Sequence, residues 1–406
     1  MNECHAPRMR ILLISHTCQS RTEGQPKAEW LARMPGIELS VLVPERWRHY
    51  GRWRAADVRA GLAFDLQVGQ VRWPWLPGAQ FYLHYYPRLR RIIEKFRPDV
   101  IDLWEEPWGL VSAHTCWLRD RVLPSAKIVA ETEQNIFKKL PPPFEQFRSY
   151  VNQRADFMIG RSPEALAVAR RTGYRGPGAT VPNAVDIELF RPRDRYAARA
   201  AVLPSVPIGS GFVAGYVGRL VPEKGLMDLV EALPHCAENL HVVFVGSGPQ
   251  REELEHRADA LGMSARVHFL GARALEDLPE IMNALDVLVL PSRTTARWKE
   301  QFGRVIIEAQ ACGTPVIGSD SGAIPEVVAN GGVIFPEGNP LALAQALQKL
   351  ATSPDAAAQF GAAGRHRVEA ECSWQRVAEQ MAAIYRKVGG LPDGCQRVGL
   401  PPDFVG

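Results

Sequence analysis

The 406-residue sequence has no long apolar run, no leader-like segment and no paired metal-ligand spacing. No stretch reaches the roughly 18 apolar residues of a membrane-spanning helix, and residues 1–7 lack the apolar segment of a signal peptide. The seven cysteines are scattered and the ten histidines are unpaired in spacing, which favours a reducing cytosol with mostly buried thiols. A net charge of only +4 gives no case for nucleic-acid binding. We therefore expect a cytoplasmic protein without a nucleic-acid partner.

The composition is that of an ordinary soluble protein, and the chain is too long for one compact core. Hydrophobic residues make up 46% of the sequence and charged residues 23%. Cores stop growing beyond roughly 250–300 residues, so two domains are expected. Strand-like apolar runs alternate with helical patterns along the whole chain, which is typical of α/β domains with parallel sheets.

Two successive sets of strands define the expected domains. The first set is predicted at residues 10–15, 37–43, 99–103, 128–130, 157–160 and 179–182. The second set is predicted at residues 212–217, 240–245, 267–270, 287–290, 316–317 and 333–335. Helices are predicted at residues 81–96, 164–172 and 374–388. Residues 188–208 are rich in proline and arginine without an apolar period, which predicts a hinge. We place the domains at 1–190 and 191–373, with a flexible tail at 389–406.

Two glutamates follow the predicted strand at 287–290. They frame the segment Glu300-Gln-Phe-Gly-Arg-Val-Ile-Ile-Glu308, in which Glu300 lies on a loop and Glu308 falls in the second turn of a helix that begins at Gly303. The carboxyl ends of parallel strands border the ligand crevice of an α/β sheet. Carboxylates accept bidentate hydrogen bonds, which suits the paired hydroxyls of sugars. The N–H groups at the helix start are free to meet an anion.

This segment resembles the glutamate-x7-glutamate motif of the family 4 glycosyltransferases, which transfer a sugar from a nucleotide donor with retention of configuration. Other segments of the C-terminal half resemble this family in their order and spacing. They are Val181-Pro-Asn-Ala-Val-Asp186, Gly218-Arg-Leu-Val-Pro-Glu-Lys-Gly225, Val245-Gly-Ser-Gly-Pro249, Val267-His-Phe-Leu-Gly271 and Ser321-Gly-Ala-Ile-Pro-Glu326. The set is specific, whereas any one segment alone is weak.

The resemblance implies the GT-B fold, in which two Rossmann-like domains face each other across a deep cleft. The N-terminal domain would bind the acceptor and the C-terminal domain the nucleotide-sugar donor, with the helix at 374–388 crossing back to the N-terminal domain. It further implies a hexosyltransferase that uses a nucleotide-diphosphate sugar and a glycan or lipid-linked acceptor, in polysaccharide or glycolipid synthesis. A nucleotide-sugar 2-epimerase of the same architecture and a non-catalytic nucleotide-sugar-binding protein remain the alternatives.

The resemblance assigns the donor diphosphate to the segment that begins at Gly218. Arg219 and Lys224 follow the strand at 212–217, and a guanidinium and an ammonium at one strand end suit a diphosphate. The diphosphate gains charge as its bond to the sugar breaks, so fixed cations stabilise the transition state more than the ground state. The alternative is a surface pair that solvates a helix start.

The two glutamates take the remaining donor roles that the resemblance implies. Glu308 would hold the nucleotide ribose, and Glu300 would contact the hydroxyls of the donor sugar together with the backbone near Phe302 and Gly303. Core packing is the alternative for Phe302, and pairing with a neighbouring base is the alternative for Glu308.

The glycines Gly246 and Gly248 form an isolated Gly-x-Gly. The third glycine and the closing acidic residue of a dinucleotide fingerprint do not follow. We interpret the pair as a tight strand-to-helix turn that lines the nucleotide pocket. No Asp-x-Asp occurs, so a metal-bridged diphosphate is not expected, and neither a metal nor another cofactor is predicted.

The N-terminal domain departs from the family pattern at two places. The loop that runs from Ser15 to Gly24 holds a single glycine where many members carry Gly-Gly, and Gln134 stands where many carry a histidine. Glutamine can hydrogen-bond a sugar hydroxyl but is not a general base near neutral pH. A retaining front-face reaction tolerates this, because the leaving phosphate can take the proton of the acceptor.

Three further residues are candidates for contact with the acceptor. His16 follows the first strand, and Glu105 and Glu106 follow the strand at 99–103. The alternatives are a structural histidine and ordinary solvated loop carboxylates.

A basic and aromatic segment extends from Arg46 to Arg54. Together with Arg88, Arg90, Arg91 and Lys95 it suits an anionic membrane surface or a lipid-linked phosphate. The alternative is an ordinary exposed loop beside an amphipathic helix. A peripheral contact with the inner face of the plasma membrane is therefore a hypothesis rather than a requirement of the sequence.

Overall fold

The computed structural model describes residues 8–49, 52–73, 80–204 and 211–390. They form two compact units: the first holds the chain through Pro182 and the helix that begins at Trp374, and the second is Asn183–Ser373. The division falls eight residues before the expected one, because the chain after Pro182 packs into the second unit. The N–H of Val185 donates to the carbonyl of Cys372 at 2.9 Å, and Phe190 is buried in the second core.

Each unit is built on its own parallel sheet. The strands of the first unit are β1 (Met9–Ile14), β2 (Ile37–Pro44), β3 (Arg46–His49), β4 (Arg52–Ala55), β5 (Asp65–Gly69), β6 (Val100–Leu103), β7 (Lys127–Thr132), β8 (Phe157–Gly160) and β9 (Gly178–Thr180). Those of the second unit are β10 (Phe212–Val217), β11 (Leu240–Val245), β12 (Val267–Gly271), β13 (Val287–Leu290), β14 (Val316–Ser319) and β15 (Gly332–Phe335). The sheet orders are β5-β2-β1-β6-β7-β8-β9 and β12-β11-β10-β13-β14-β15.

Helices cover these sheets, as the crossovers between parallel strands require. Those of the first unit are α1 (Gln25–Ala32), α2 (Gln80–Leu83), α3 (Leu89–Phe96), α4 (Leu110–Val122), α5 (Phe144–Arg154) and α6 (Pro163–Arg171). Those of the second are α7 (Arg195–Val202), α8 (Leu226–Ala232), α9 (Arg251–Ala260), α10 (Leu278–Ala284), α11 (Arg304–Ala311), α12 (Ile324–Val328), α13 (Pro340–Ala351) and α14 (Pro354–Arg367). The last helix is α15 (Trp374–Gly389).

The return of the last helix to the first unit is confirmed. Helix α15 packs against α1, and the hydroxyl of Tyr385 donates to Asp102 on β6 at 2.6 Å. Together the two α/β units confirm the predicted fold class, with the central strands buried on both faces and therefore composed of nearly continuous apolar runs. Residues 391–406 of the expected tail lie outside the described residues.

Two local predictions were wrong. The helix expected at 81–96 is divided into α2 and α3, because Pro87 has no N–H to continue a helix. The expected hinge at 188–208 contains α7, whose start is capped by the Asp194 side chain accepting from the N–H of Ala197 at 2.7 Å. The alternative of an ordinary loop for the basic aromatic segment does not hold either, because β3 and β4 pair as an antiparallel hairpin.

Two further findings concern membrane-spanning helices and the state of the cysteines. In the described part of the chain, no helix combines the length and the apolar character needed to cross a membrane. The five cysteines that the structure describes, Cys18, Cys116, Cys236, Cys312 and Cys372, are free and buried.

Candidate active site

In the second unit, the turn after β10 is held against the loop after β13. Gly225 lies so close to this loop that a Cβ there would come 2.0 Å from the carbonyl oxygen of Pro291. The N–H of Arg293 donates to the carbonyl of Glu223 at 2.9 Å. Since β10 and β13 are neighbours in the sheet, their carboxyl ends bring the two predicted donor segments side by side.

Lys224 and Glu300 meet at this junction. The Nζ of Lys224 lies 2.6 Å from the Oε2 of Glu300, and the hydroxyl of Ser292 donates to the same oxygen at 2.9 Å. The ring centroid of Trp298 is 4.8 Å from the Nζ. The two side chains are only 15% and 10% exposed, so the pair is a partly desolvated cation and anion.

Arg219 stands apart from this pair. Its side chain is 51% exposed, and the nearest carboxylate is that of Glu223 at 3.7 Å. The guanidinium therefore reaches into solvent beside the turn, where it remains available to an anion.

The predicted glycines bring two loop backbones into contact. A Cβ on Gly246 would lie 1.8 Å from the carbonyl oxygen of Gly218, and one on Gly248 would lie 2.1 Å from that of Leu220. The N–H of Gly218 donates to the carbonyl of Val245 at 2.9 Å. The loops after β10 and β11 thus form the tight turns that the sequence indicated, whereas a nucleotide pocket beside them stays a prediction.

Helix α11 positions Glu308. The helix begins after Gly303, whose φ of 78° is left-handed backbone that glycine adopts readily. Glu308 is buried, and no described group hydrogen-bonds its carboxylate. Burial raises the pKa of Glu308, although the charge of Arg304 opposes this shift. A buried carboxylate without donors is costly to the fold unless a ligand supplies hydrogen bonds.

Phe302 takes part in the core of the second unit, where its side chain is only 6% exposed. The core-packing alternative therefore describes its side chain, and only its backbone remains available for contact with a ligand.

In the first unit, His16 and Glu105 form a close pair at the carboxyl ends of β1 and β6. The Nδ1 of His16 lies 2.8 Å from Oε1 of Glu105, and the backbone N–H of His16 donates to the same oxygen at 2.6 Å. Burial alone would lower the pKa of His16, but the Glu105 carboxylate outweighs it and the pKa is raised. Burial would raise the pKa of Glu105, but His16 outweighs it and that pKa is lowered.

Aromatic side chains surround this pair. The ring of Trp47, from β3, stacks on His16 with centroids 4.7 Å apart, and Phe81 meets His16 edge-on at 5.7 Å. His84 packs edge-on against Trp47 at 4.8 Å. Its Nδ1 lies 2.7 Å from the carbonyl oxygen of Gln80, and its buried Nε2 has no hydrogen-bond partner among the described residues. No local pattern predicted this cluster, because its members lie on separate elements.

Glu106 and Gln134 are occupied by local hydrogen bonds. The Glu106 carboxylate accepts from the hydroxyl of Thr132 and from the N–H of Glu133, both at 2.8 Å. Burial raises the pKa of Glu106 to about 7, against the effect of these two donors. The amide nitrogen of Gln134 donates to the carbonyl of Ile136 at 2.8 Å. Contact of either residue with an acceptor stays a prediction.

Sequence reasoning missed a buried charged network in the first unit. The ammonium of Lys27 on α1 is 1% exposed; it pairs with Glu131 on β7 and lies 3.5 Å from Asp102 on β6. Arg161 pairs with the other oxygen of Glu131, and Tyr385 donates to Asp102. Burial lowers the pKa of Lys27 to about 8, against the charge of Asp102. The network ties α15 to the sheet.

Among the residues that the structure describes, no three histidine, cysteine, aspartate or glutamate side chains gather as metal ligands. Whether the reaction needs a metal is a separate question, so metal independence stays a prediction.

The predicted donor segments fall within residues 205–367, which match a family described as glycosyl transferases group 1. Over 399 residues the chain is 28% identical to the GDP-mannose-dependent alpha-(1-6)-phosphatidylinositol monomannoside mannosyltransferase of Mycobacterium tuberculosis, with 93% of this chain and 98% of that protein covered. It is 30% identical over 279 residues to the D-inositol 3-phosphate glycosyltransferase of Streptomyces bingchenggensis, with 64% and 56% covered.

Among solved structures, the chain is similar to sucrose-phosphate synthase from Thermosynechococcus elongatus. The TM-score is 0.73 at 24% sequence identity, with 94% of this chain and 100% of that chain covered. At this identity the likeness shows the fold, which is GT-B.

Proposed function

We propose that this chain, which matches the glycosyl transferases group 1 family over residues 205–367, transfers a hexose, with retention of configuration, from a nucleoside diphosphate sugar to a glycolipid. The relative aligned over nearly the whole chain is named for GDP-mannose and a phosphatidylinositol mannoside. GDP-mannose is accordingly the proposed donor, and a phosphatidylinositol-type glycolipid is the proposed class of acceptor.

The observation that carries the donor assignment is the Lys224–Glu300 pair, together with the buried Glu308 on helix α11. Lys224 supplies a fixed cation for the diphosphate, and Arg219 beside the same turn supplies a second. Charge that develops on the leaving diphosphate is stabilised most by cations that are already in position. Glu300 accepts from the sugar hydroxyls, and Glu308 accepts from the ribose hydroxyls.

On the acceptor side, the proposal gives His16 a role in binding. Because Glu105 holds the Nδ1, the Nε2 edge of the ring faces the acceptor hydroxyl. In a retaining front-face transfer, the leaving phosphate takes the proton from that hydroxyl, so His16 orients the acceptor and no separate base is required. No step of this proposal uses Gln134.

The hairpin of β3 and β4 is the proposed point of contact with the inner face of an anionic membrane. Trp53 is 41% exposed, and the guanidinium of Arg46 lies 5.6 Å from its ring centroid. Trp47 points inward against His16 and takes no part. Co-sedimentation with vesicles containing phosphatidylglycerol tests this contact. Binding of the wild type at low salt is expected, and a variant with Arg46, Arg48, Arg52 and Arg54 changed to Ser should remain in the supernatant.

A thermal-shift measurement tests the donor assignment. A ligand that binds only the folded state at about 100 times its Kd stabilises that state by about 2.7 kcal/mol. GDP-mannose should therefore raise the melting temperature of the wild type, and Glu308→Gln should need a higher concentration for the same shift. If neither GDP-mannose nor a UDP-sugar shifts the wild type, the donor assignment is wrong.

Product analysis separates the proposal from its rivals. We expect transfer of mannose to phosphatidylinositol mannoside vesicles. Because the proposed transfer retains configuration, NMR should show an α linkage in the product formed from the α-linked donor. Conversion of the donor to its 2-epimer without transfer would support the epimerase alternative, which none of the relatives named above represents. Binding of donor with neither reaction would support a non-catalytic protein.

A further inference from the structure

A groove of about 1070 Å³ lies in the first unit beside strand β5 and helix α3. Strand β5 is the edge strand of its sheet. Six residues that line the groove are basic: Arg10, Arg46, Arg72, Arg88, Arg91 and Lys95. Two are acidic, Glu45 and Asp65. The groove is therefore strongly cationic in a protein whose net charge is only +4.

Five of these six cations have no counter-charge in the part of the chain that the structure describes. Among the described residues, no carboxylate pairs with Arg46, Arg72, Arg88, Arg91 or Lys95, and all five are exposed. Arg10 is engaged, because its Nε lies 3.7 Å from Glu38 and its guanidinium lies over Phe96. The Asp65 carboxylate accepts from the hydroxyl of Ser40 at 3.0 Å. Unpaired cations crowded around a concave surface raise the local concentration of anions.

Helix α3 directs its cations to the groove. Arg88, Arg91 and Lys95 recur three and four residues apart, which places them on one stripe of the helix. Ile92 and Phe96 line the groove beside this stripe, while Leu89 and Ile93 face the core. Arg90 does not line the groove, and its Nε donates to Glu94 at 2.8 Å. The Arg90–Glu94 ion pair therefore lies on one face of the helix. The cations on the groove face have no carboxylate partner among the described residues.

We propose that this groove binds a phosphate ester carried by the headgroup of the acceptor. Guanidinium groups pair bidentately with phosphate oxygens, and the interleaved side chains of Ile92 and Phe96 suit the apolar part of an amphiphile. Arg46 lines the groove and is the neighbour of Trp47, which stacks on His16. An acceptor hydroxyl at His16 and a phosphate in the groove would therefore contact adjoining parts of the first unit.

The inference rests on the proposed function only in its choice of an acceptor headgroup as the source of the phosphate. Two sources share this chemistry: the headgroup of a lipid in a bilayer and a soluble phosphorylated polyol. The binding test uses the full chain without donor or turnover. Its soluble probe is myo-inositol hexakisphosphate, and its membrane probe is a vesicle of phosphatidylinositol in phosphatidylcholine.

The test compares the wild type with a variant that carries Arg88→Ser, Arg91→Ser and Lys95→Ser. The matched control is Arg90→Ser on the same helix, which removes a cation outside the groove. Each cation lost near an anionic group weakens binding by about fivefold, so the triple variant should bind about 100-fold more weakly. The control should remain within about twofold of the wild type. Binding should also weaken as salt rises, because these side chains are exposed.

Unfolding temperature and the donor-induced thermal shift are measured on every variant, to exclude loss of fold as the cause. Binding of both probes, lost in the triple variant alone, supports recognition of the phosphate itself. Binding of vesicles alone, with the same loss, supports a lipid headgroup. Equal binding by the wild type and the triple variant overturns the inference, and so does the absence of binding to either probe. If the wild type transfers sugar but the groove binds neither probe, only this inference falls. If the groove binds and no sugar is transferred, the proposed function falls instead.

Discussion

Replacement of Lys224 by alanine separates the structural from the catalytic role of the Lys224–Glu300 pair. Breaking a fully buried ion pair costs about 3–5 kcal/mol, and an exposed pair is worth about 0–1 kcal/mol. At 15% and 10% exposure the pair lies near the buried limit, but Ser292 continues to donate to Glu300. We therefore expect a loss of about 2–3 kcal/mol in the free energy of unfolding. For a domain of about 150–250 residues this lowers the melting temperature by about 5–10 °C.

The double variant Lys224→Ala with Glu300→Gln shows where that loss comes from. Most of the cost of the single change is the carboxylate left without its cation, so neutralising Glu300 should restore much of the stability. Turnover should not recover, because the diphosphate still lacks its fixed cation and Glu300→Gln is itself expected to lower kcat. The expected fall in kcat is about 10²-fold or more in both variants, on the scale of one lost transition-state donor.

The assays are calorimetric unfolding and GDP release from GDP-mannose in the presence of phosphatidylinositol mannoside vesicles. Lys349→Ala is a suitable control, because Lys349 is an exposed lysine of the same unit. If the double variant regains turnover together with stability, Lys224 acts through the fold alone and the assignment to the diphosphate is refuted. The same conclusion follows if Lys224→Ala retains the kcat of the wild type.

Three further outcomes are expected. Glu308→Gln should mainly weaken donor binding, whereas Glu300→Gln should also lower kcat, since the first contacts the ribose and the second the reacting sugar; equal effects on KM alone would contradict this division. Activity should persist in excess EDTA, and complete loss that Mg²⁺ or Mn²⁺ restores would show that the site needs a metal. The pKa of His16 should lie above its usual value of 6.5 by NMR titration, and Glu105→Gln should lower it, because the carboxylate that outweighs burial is removed while the weaker effects of Glu133 and Glu23 remain; an unchanged pKa would refute the pairing. Since the folded-state pKa of His16 is raised, its contribution to stability is complete below about 6.5 and is lost as pH rises through the raised pKa. The lowered pKa of Glu105 works in the opposite direction, so that its contribution is lost as pH falls through that pKa.

Local sequence signals were sufficient for most of the strands, whereas the role of the donor segments stays a prediction. A buried parallel strand is an apolar run that few other structures produce, and the predicted strands at 212–217, 240–245 and 287–290 match β10, β11 and β13. The local signals failed at two places, where a single proline or the partners of a side chain outweigh the local pattern. Pro87 divides a helix whose apolar period continues past it, and the arginine-rich segment after 188 forms α7 because Arg199 finds buried partners. Its guanidinium donates to the carbonyl of Ala284 at 3.0 Å and to Asp286 at 2.8 Å.

The sequence by itself determined the class of fold, the order of the donor segments and the residue types that suit a nucleotide sugar, because each of these depends on short stretches of chain. Only the tertiary structure decided which charges meet. Lys224 and Glu300 are 76 residues apart and pair because β10 and β13 are neighbours in the sheet. Lys27, Glu131 and Tyr385 join one network for the same kind of reason. Burial and pairing depend on sheet order and helix packing, which bring together residues that no local pattern relates.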